Sequence, residues 1–474
     1  MNNLDNRHPS KKRTHCMNEL QEHHITFFKK LVGSDRFSTG SSHRELHVRD
    51  ISAHHGSLPA GVIFPTTTEE VSRILAFCYD NDIPVTPWGA GTSTEGNPVP
   101  VCGGLVVDLT MMNRIIAIRP QDLQADVEPG VLRKELNRQA GQFGLFFPPD
   151  PGADATIGGM IANNASGVQT VKYGATKDNV LRLVVVLPNG EVIHTGCKAP
   201  KSSSGYDLTR LFIGSEGTLG IVTEITVKLS GIPAIRMAAT IPFPDLASAS
   251  QAVAVLIGSG LGPAALELLP PELIALMNRE KGLGLEEVPT LFCEFHGSSD
   301  PVIEETATLA RELCEECGAV GFRHASDEAG RTALWRARHE AWETIHRAHP
   351  GLETLIVDAA VPISAYPDMV VFAQHAVDQA GVIGYVFGHA GDGNLHVVLV
   401  GDIRDGAAWG RLETVNHSIV EEAIRKGGTC TGEHGVGIGK RKFMPLEHGG
   451  SYEWMRRIKT LFDPKGLMNP GKIF

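Results

Sequence analysis

Apolar residues recur along the chain with two different periods, and these periods separate predicted helices from predicted strands. Thr67 and Glu70 form a capping box, and the apolar residues that follow return at helical spacing at Val71, Ile74, Leu75 and Cys78. The same spacing predicts helices over residues 131–140, 303–317 and 331–346.

Strand signals lie between these helices in the first half of the chain. Short apolar runs predict strands over residues 83–86 and 104–109. Residues 184–187 and 191–195 flank the turn Pro188-Asn189-Gly190, which predicts a hairpin. Alternation over residues 221–229 predicts a strand with one buried face. The pattern changes after this strand, at Gly231-Ile232-Pro233, where we place a domain boundary.

The second half of the chain alternates strands and helices. Strands are predicted over residues 235–241, 264–269, 291–296, 355–361, 382–387 and 395–400. This order predicts an α+β domain with a largely antiparallel sheet. We therefore divide the chain into an N-terminal extension (1–48), a first domain (49–232), a second domain (233–429) and a C-terminal segment (430–474) that returns to the first domain. We expect ordered structure to begin near Arg49.

Charge and composition narrow the function classes. The net charge of −11 is dispersed, and the one basic run, Lys11-Lys12-Arg13, lies in a polar N-terminus that we expect to be disordered. With no basic patch, signal-peptide core or long apolar run, we expect a cytoplasmic protein that binds no nucleic acid. A homodimer and peripheral contact with the inner face of the membrane remain open. Cys314 and Cys317 fall late in a predicted helix, so we interpret them as reduced cysteines.

Three glycine-rich segments, residues 87–93, 148–167 and 214–221, offer backbone N–H groups without bulky side chains, as a pyrophosphate site requires. The first has Thr94 where a Rossmann fingerprint has its third glycine, and the last opens a strand. None contains the Gly-Lys-Ser/Thr of a P-loop. Each segment by itself is equally consistent with a tight turn.

Together and in this order, the segments resemble the flavin-binding domain of the vanillyl-alcohol oxidase/p-cresol methylhydroxylase superfamily, and the run Ile157-Gly-Gly-Met-Ile-Ala-Asn-Asn-Ala-Ser-Gly167 is the most specific part. The resemblance covers roughly residues 59–229 and implies FAD extended between two subdomains. It implies cofactor contacts from Pro87, Trp88, Gly89, Ala90, Gly91, Thr92, Ser93, Pro151, Gly152, Thr156, Gly158, Gly159, Asn163, Gly167 and Ile221. Some members tether the flavin through a histidine, but residues 87–93 contain none, so we expect non-covalent FAD.

A second cluster of chemical groups lies near the end of the chain. His389 follows one predicted strand, His396 begins the next, and the Gly391-Asp392-Gly393 turn between them lets both imidazoles converge. Glu433 and His434 follow downstream between glycines. Two histidines and a carboxylate form a three-ligand set typical of catalytic metal sites, although the spacing fits satisfied turn residues equally well. We interpret His296 and His375 as ordinary structural residues.

This half resembles the FAD-linked oxidase C-terminal domain of D-lactate, D-2-hydroxyglutarate and glycolate dehydrogenases. The resemblance implies a divalent metal, zinc or manganese, bound by His389, His396 and Glu433, with His434 as the base and Asn394 on the substrate side. It also places Asn469, within the tail run Leu467-Met-Asn-Pro-Gly-Lys-Ile473, near the flavin ring.

A carboxylate substrate needs a fixed cation, for which arginine has the best geometry. Arg336 and Arg338 stand two residues apart in a predicted helix and cannot share one face. The family motif matches Arg338, and we interpret Arg336 as a solvated side chain.

We therefore expect FAD-dependent oxidation of a small D-2-hydroxy acid. D-lactate is favoured because Trp342 would narrow the pocket, and because Val397 and Val398 stand where a polar residue could meet a second carboxylate. D-2-hydroxyglutarate and glycolate, the latter in a complex with partner subunits, are the alternatives within the family. A flavin-free metallohydrolase and a non-catalytic scaffold are the alternatives outside it. The sequence contains no haem-attachment or iron–sulfur motif, so the electron acceptor is expected to be a separate quinone, cytochrome, flavoprotein or dioxygen.

Overall fold

The fold is that of a computed structural model, which describes residues 16–325 and 328–474. The Lys11–Arg13 run and the side chain of Arg336 lie outside the described residues. The described part of the first half contains two main sheets with helices around them, as the alternating pattern predicts, and a small two-stranded sheet.

The first sheet has the order β1-β2-β4-β3, with β2, β3 and β4 parallel and β1 antiparallel to β2. Its strands and helices are α1 (Glu22–Val32), β1 (Phe37–Ser38), α2 (Ser41–Leu46), β2 (Gly61–Ile63), α3 (Thr68–Asp80), β3 (Val85–Trp88) and β4 (Leu105–Asp108). The predicted helix after Thr67 is confirmed as α3, and its four predicted apolar residues are buried. Thr67 accepts from the Glu70 amide as predicted, but the Glu70 carboxylate binds the amide of Thr66 and the guanidinium of Arg36.

Ordered structure begins earlier than we expected. The elements α1, β1 and α2 precede Arg49, and Phe28, Val32 and Phe37 lie in the core of the first sheet. Phe27 stacks on Phe77 of α3 with ring centroids 3.8 Å apart. The aromatic face of α1 therefore completes a core that the strands alone leave open.

The second sheet is antiparallel, with the order β5-β6-β10-β8-β9. Its elements are β5 (Ile115–Arg119), β6 (Gln124–Val127), α4 (Arg133–Ala140), β7 (Leu145–Phe146), α5 (Ile157–Asn163), α6 (Thr170–Tyr173), β8 (Val180–Val186), β9 (Val192–Gly196), α7 (Leu208–Phe212), β10 (Ile221–Lys228) and β11 (Ser230–Gly231), the last paired with β7. The predicted hairpin is confirmed as β8 and β9, and β10 confirms the predicted alternating strand. Ile221, at the start of β10, joins the first sheet's core, whereas Ile225 and Val227 join the second.

The second half also contains antiparallel sheets, ordered β13-β14-β12-β15 and β16-β18-β17. Its elements are β12 (Ile235–Pro242), α8 (Leu246–Gly258), β13 (Ala265–Leu269), α9 (Pro271–Lys281), β14 (Thr290–Gly297), α10 (Asp300–Glu316), β15 (Arg323–Ala325), α11 (Glu328–His339), α12 (Ala341–Ala348), β16 (Glu353–Ala360), α13 (Tyr366–Ala380), β17 (Ile383–Phe387), β18 (Asn394–Gly401), α14 (Gly406–Arg425), α15 (Met444–His448) and α16 (Gly450–Phe462). All six predicted strands are confirmed, and a bridge between Leu268 and Gly388 joins the two sheets.

The single helix predicted over residues 331–346 is wrong, because α11 ends at His339 and α12 begins at Ala341. Glu340, with ψ near 16°, leaves the helical conformation between them. Cys314 lies at the end of α10 as a buried free thiol, and burial raises its pKa to about 12. No helix in the described ranges is long and apolar enough to cross a membrane.

Candidate active site

The two halves enclose a cavity of about 540 Å³. Of the residues predicted to contact the cofactor, those that line it are Pro87, Trp88, Gly89, Ala90, Gly91, Thr92, Ser93, Pro151, Gly152, Thr156, Gly158, Gly159, Asn163, Ile221 and Asn469. Arg338, Trp342, His389, His396, Glu433 and His434 line the opposite wall. The cavity therefore unites the glycine-rich segments of the first half with the ionisable groups of the second.

The glycines of the first wall are required by close packing. A Cβ on Gly89 would lie 2.6 Å from Thr156 Oγ1, and Gly91 has a φ of +68°. Gly167 is not in the cavity wall; a Cβ there would lie 1.7 Å from the Asp150 carbonyl oxygen. The structure thus places Gly167 behind the wall, where the absence of a side chain lets residues 150–151 pack against it.

The imidazoles of the second half meet around one carboxylate. His389 Nε2 and His396 Nε2 lie 3.1 and 3.2 Å from Glu433 Oε1, and His434 Nε2 lies 3.8 Å from the same oxygen. The His396 and His434 rings are stacked at 5.2 Å, while His389 meets His396 edge-on at 5.1 Å. Two histidine nitrogens and one carboxylate oxygen thus lie close enough to share one ion.

Strand pairing brings these groups together. In β18, His396 pairs with Asp358 of β16 on one side and with Phe387 of β17 on the other. The turn after β17 contains Gly393 at a φ of +70°, which reverses the chain so that His389 faces His396. The convergence of His389 and His396 across this turn is as the sequence predicted.

Three further residues hold the cluster, and sequence reasoning missed them. Glu267 accepts from His389 Nδ1 at 2.7 Å, and Asp358 accepts from the Glu433 and His434 amides at 3.0 and 2.9 Å. Ser166, from the first half, donates to Glu433 Oε2 at 3.0 Å. Glu267 and Asp358 each interrupt an apolar strand, and a buried carboxylate at such a position requires a partner. That interruption is the signal that could have found them.

Burial and neighbouring charges set the protonation of the cluster. Burial opposes charge on His389, but the Glu267 and Glu433 carboxylates outweigh it and raise its pKa to about 10. Burial opposes charge on Glu433 too, yet His389 and His396 hold its pKa well below the usual range. Burial lowers the pKa of His434, which favours the neutral imidazole. The negative charges of the buried carboxylates in this cluster are thus balanced by positive groups nearby.

Arg338 lies in the cavity wall, buried to 6% exposure. Its Nε donates to Glu267 Oε2 at 2.8 Å, and its guanidinium lies 5.2 Å over the Phe387 ring. Nη2 lies 2.5 Å from the same Glu267 oxygen without hydrogen-bond geometry. Glu267 thus engages the Nε and Nη2 side of the guanidinium, and the Nη1 N–H groups, which have no acceptor among the described residues, are available to a carboxylate in the cavity.

Two expected substrate-side residues lie elsewhere. Asn394 is outside the cavity wall and donates to Asp358 Oδ1 and to the Ala359 carbonyl, so its position is structural. Val397 is wholly buried in the core behind the sheet, because it alternates with His396 and Val398 along β18. Val398 does line the cavity, together with Trp342.

Family profiles match both halves of the chain. Residues 59–196 match the FAD binding domain, and residues 232–473 match the C-terminal domain of FAD linked oxidases. The chain belongs to the FAD-linked oxidases. Its cofactor is FAD, and the glycine-lined wall fits that cofactor because glycines bring the backbone to the cavity without bulky side chains.

Similar proteins cover nearly all of this FAD-linked oxidase. The probable mitochondrial D-lactate dehydrogenase of Danio rerio is 39% identical over 95% of this chain and 91% of its own length. The glycolate oxidase subunit GlcD of Bacillus subtilis is 39% identical over 94% of this chain and 95% of its own length. The structure of p-cresol methylhydroxylase covers 96% of this chain and 97% of its own, with a TM-score of 0.77 at 17% identity. That likeness confirms the predicted two-subdomain flavin fold with its α+β second domain.

Proposed function

We propose that this FAD-linked oxidase oxidises a small D-2-hydroxy acid, D-lactate foremost, to the 2-oxo acid. The observation that carries the proposal is the convergence of His389, His396 and His434 on Glu433 Oε1, within 3.1–3.8 Å, in the wall of the flavin cavity. The Danio rerio relative, named a probable D-lactate dehydrogenase, supports the same substrate class.

His389, His396 and Glu433 are the proposed ligands of a divalent cation, zinc or manganese. Their donor atoms suit these ions, and the buried carboxylates Glu433, Glu267 and Asp358 supply negative charge around them. Glu267 accepts from His389 Nδ1, which orients Nε2 toward the ion. We propose that FAD is bound without a covalent link, since residues 87–93 contain no histidine.

When bound, the flavin supplies a two-electron acceptor and the cation supplies a Lewis acid for the substrate hydroxyl. Arg338 pairs with the substrate carboxylate and fixes the direction in which the α-hydrogen points. His434, 3.8 Å from Glu433 and facing the cavity, accepts the hydroxyl proton. Asp358 Oδ2 accepts from the His434 backbone amide at 2.9 Å, which fixes the backbone of the proposed base before substrate arrives.

The apolar part of the cavity favours a short side group on the substrate. Trp342, Ile356, Phe387 and Val398 line the wall near Arg338 and the imidazoles. A methyl group gains from contact with these side chains, whereas a second carboxylate loses hydration there. We therefore propose D-lactate ahead of D-2-hydroxyglutarate.

Anaerobic titration of the purified yellow protein tests this proposal. D-lactate should bleach the flavin absorbance faster than D-2-hydroxyglutarate, glycolate or L-lactate do. Faster bleaching by D-2-hydroxyglutarate would overturn the choice of substrate. Unchanged absorbance with every 2-hydroxy acid, in protein with bound FAD and zinc or manganese added, would overturn the reaction.

A glycolate oxidase subunit is the second candidate, supported by the Bacillus subtilis relative of that name. This candidate predicts that glycolate bleaches the flavin most readily, and that turnover requires partner subunits. Full turnover of the isolated chain with an artificial acceptor and D-lactate would contradict it.

A further inference from the structure

A second cavity of about 550 Å³ opens beside the flavin cavity. The two cavities share Asp150, Gly152, Val168, His339 and Glu343 in their walls. We call the second one the basic vestibule, after the cations Arg133, Lys134, Arg236 and Arg331 in its wall. Trp335 also lines it. His339 lines both cavities, and Arg338, the arginine proposed to bind the substrate carboxylate, lines the flavin cavity with it, so the vestibule adjoins the part of the flavin cavity that holds Arg338.

Besides the exposed Lys134, two cations of the vestibule have no ion-pair partner among the described residues. Among the described residues, Arg236 and Arg331 have no carboxylate within ion-pair distance. The Arg236 guanidinium lies 6.0 Å over the Phe146 ring, which leaves its N–H groups for an acceptor. By contrast, Arg133 is paired with Asp150 at 2.9 Å.

The carboxylates in the same wall are mostly engaged. Glu294 binds His296 at 2.6 Å, and Glu340 pairs with Lys281. Asp150 is held by Arg133, which leaves Glu343, at the exposed rim, as the acid that faces solvent. Arg236 and Arg331, together with the exposed Lys134, outnumber Glu343 and give this opening a net positive charge, although the whole chain carries a net charge of −11.

An unpartnered donor points to the kind of ligand. Trp335 is 9% exposed and lines the vestibule, and its indole Nε1 has no hydrogen-bond acceptor within the described part of the chain. A buried N–H without an acceptor costs free energy unless a ligand supplies one. One indole N–H beside two free guanidinium groups suits a small oxyanion such as a carboxylate.

We propose that the basic vestibule captures the carboxylate of the incoming 2-hydroxy acid and delivers it to Arg338. This inference rests on the proposed function, because it assigns a chemical class to the anion. Arg236, Arg331 and Trp335 form the outer anion site, and Arg338 forms the inner one. Product carrying the same carboxylate leaves by the same route.

Stopped-flow reduction of the FAD-loaded enzyme by D-lactate, without oxygen, tests the vestibule. In the Arg236→Gln/Arg331→Gln variant, the second-order rate constant for flavin bleaching should fall about tenfold at low ionic strength. The limiting rate at saturating D-lactate should fall far less, since the inner site is untouched. Added sodium chloride should lower the second-order rate constant of the wild type until it approaches that of the double variant, because salt screens exposed charge. Trp335→Phe should also lower the second-order constant, with little effect of salt on the difference.

The matched control is Arg411→Gln, which removes an exposed cation of α14 outside both cavities. It should bleach at the wild-type rate at every salt concentration. Equal second-order constants in the double variant and the wild type would overturn the vestibule while leaving the proposed function intact. If the double variant does not retain FAD, a wild-type rate constant that is independent of salt would overturn the vestibule instead. Failure of the wild type to bleach with any 2-hydroxy acid would contradict the proposed function itself.

Discussion

Arg338 has two acceptors to satisfy in the proposed reaction. Its Nε and Nη2 already face Glu267, and the Nη1 N–H groups remain for the substrate carboxylate. Lysine keeps the charge but offers one compact ammonium, so Arg338→Lys cannot bind both groups in the same geometry. We expect kcat/KM for D-lactate to fall roughly 10- to 100-fold, measured by steady-state kinetics with an artificial electron acceptor.

The control for this substitution is Arg347→Lys. Arg347 pairs with Glu280 at 2.9 Å on the surface and is half exposed. We expect it to change kcat/KM by less than about twofold, because exposed ion pairs contribute little. Similar losses in both variants would contradict the proposed role of Arg338.

We propose that Glu267 is a positioning residue in this site, because it contacts both His389, a proposed metal ligand, and Arg338, the proposed partner of the substrate carboxylate. Glutamine keeps the shape but loses the charge, so Glu267→Gln should loosen both neighbours. We expect metal affinity to fall about 10- to 100-fold, measured as metal content after dialysis against buffers of set free zinc. Glu280→Gln, on the surface beside Arg347, is the control and should retain its metal.

At this scale the sequence predicted the reactive residues better than their supports. The His389–His396 turn is local, so spacing sufficed to predict that the rings meet. Glu267 reaches His389 across 122 residues, through the bridge that joins two separate sheets. No spacing along the chain encodes that contact. Asn394, expected on the substrate side, has a similarly non-local contact: its Nδ2 donates to Asp358 on a neighbouring strand, and its Oδ1 has no partner among the described residues.

The helix α5 shows how tightly an element of the flavin wall is packed. A Cβ on Gly158 would lie 2.6 Å from Pro129 Cβ and 2.9 Å from its carbonyl oxygen. Gly158→Ala must therefore displace the 129 segment or the helix, both of which line the flavin cavity. We expect a loss of about 1–3 kcal/mol in the free energy of unfolding, measured by thermal or urea denaturation, together with weaker FAD retention.

Gly258→Ala, at the end of α8, provides the comparison. Nothing lies within 4 Å of a Cβ at Gly258, so alanine should be neutral or slightly stabilising in that helix. Wild-type stability and full FAD content in Gly158→Ala would show that this wall tolerates a side chain, contrary to the packing argument.

Elements with a clear apolar period were predictable, and their interruptions were not. Six of the seven described strands in the second half were predicted because both faces of these sheets are largely buried and their apolar runs are continuous, whereas β15 is short and largely exposed. The break at Glu340 was missed because apolar residues continue at helical spacing from Trp335 through Ile345. The elements before Arg49 were missed because their aromatic residues are recognised as core residues only once they are seen packed against α3.

At the scale of the molecule, the two halves make separate contributions to the site. The glycine-lined wall for FAD belongs to the first half, whereas His389, His396 and Glu433 all belong to the second. Removal of the metal by chelation should therefore abolish reduction by D-lactate while the flavin spectrum persists. Metal analysis, absorbance and flavin bleaching on the same sample measure these three outcomes, and added zinc or manganese should restore the rate.

The same treatment should lower the melting temperature, because an ion that binds only the folded state adds stability by mass action, about 2.7 kcal/mol at 100 times its Kd. His389→Ala should melt at the chelated temperature with or without metal. His375→Ala, on the exposed side of α13, should respond to chelation as the wild type does.

Ser166 and Asn163 reach across to Glu433 and the His434 carbonyl, so loss of the ion should loosen the contact between the halves. Undiminished D-lactate oxidation in protein shown to be free of zinc and manganese would remove the cation from the mechanism and leave the imidazole cluster with a structural role.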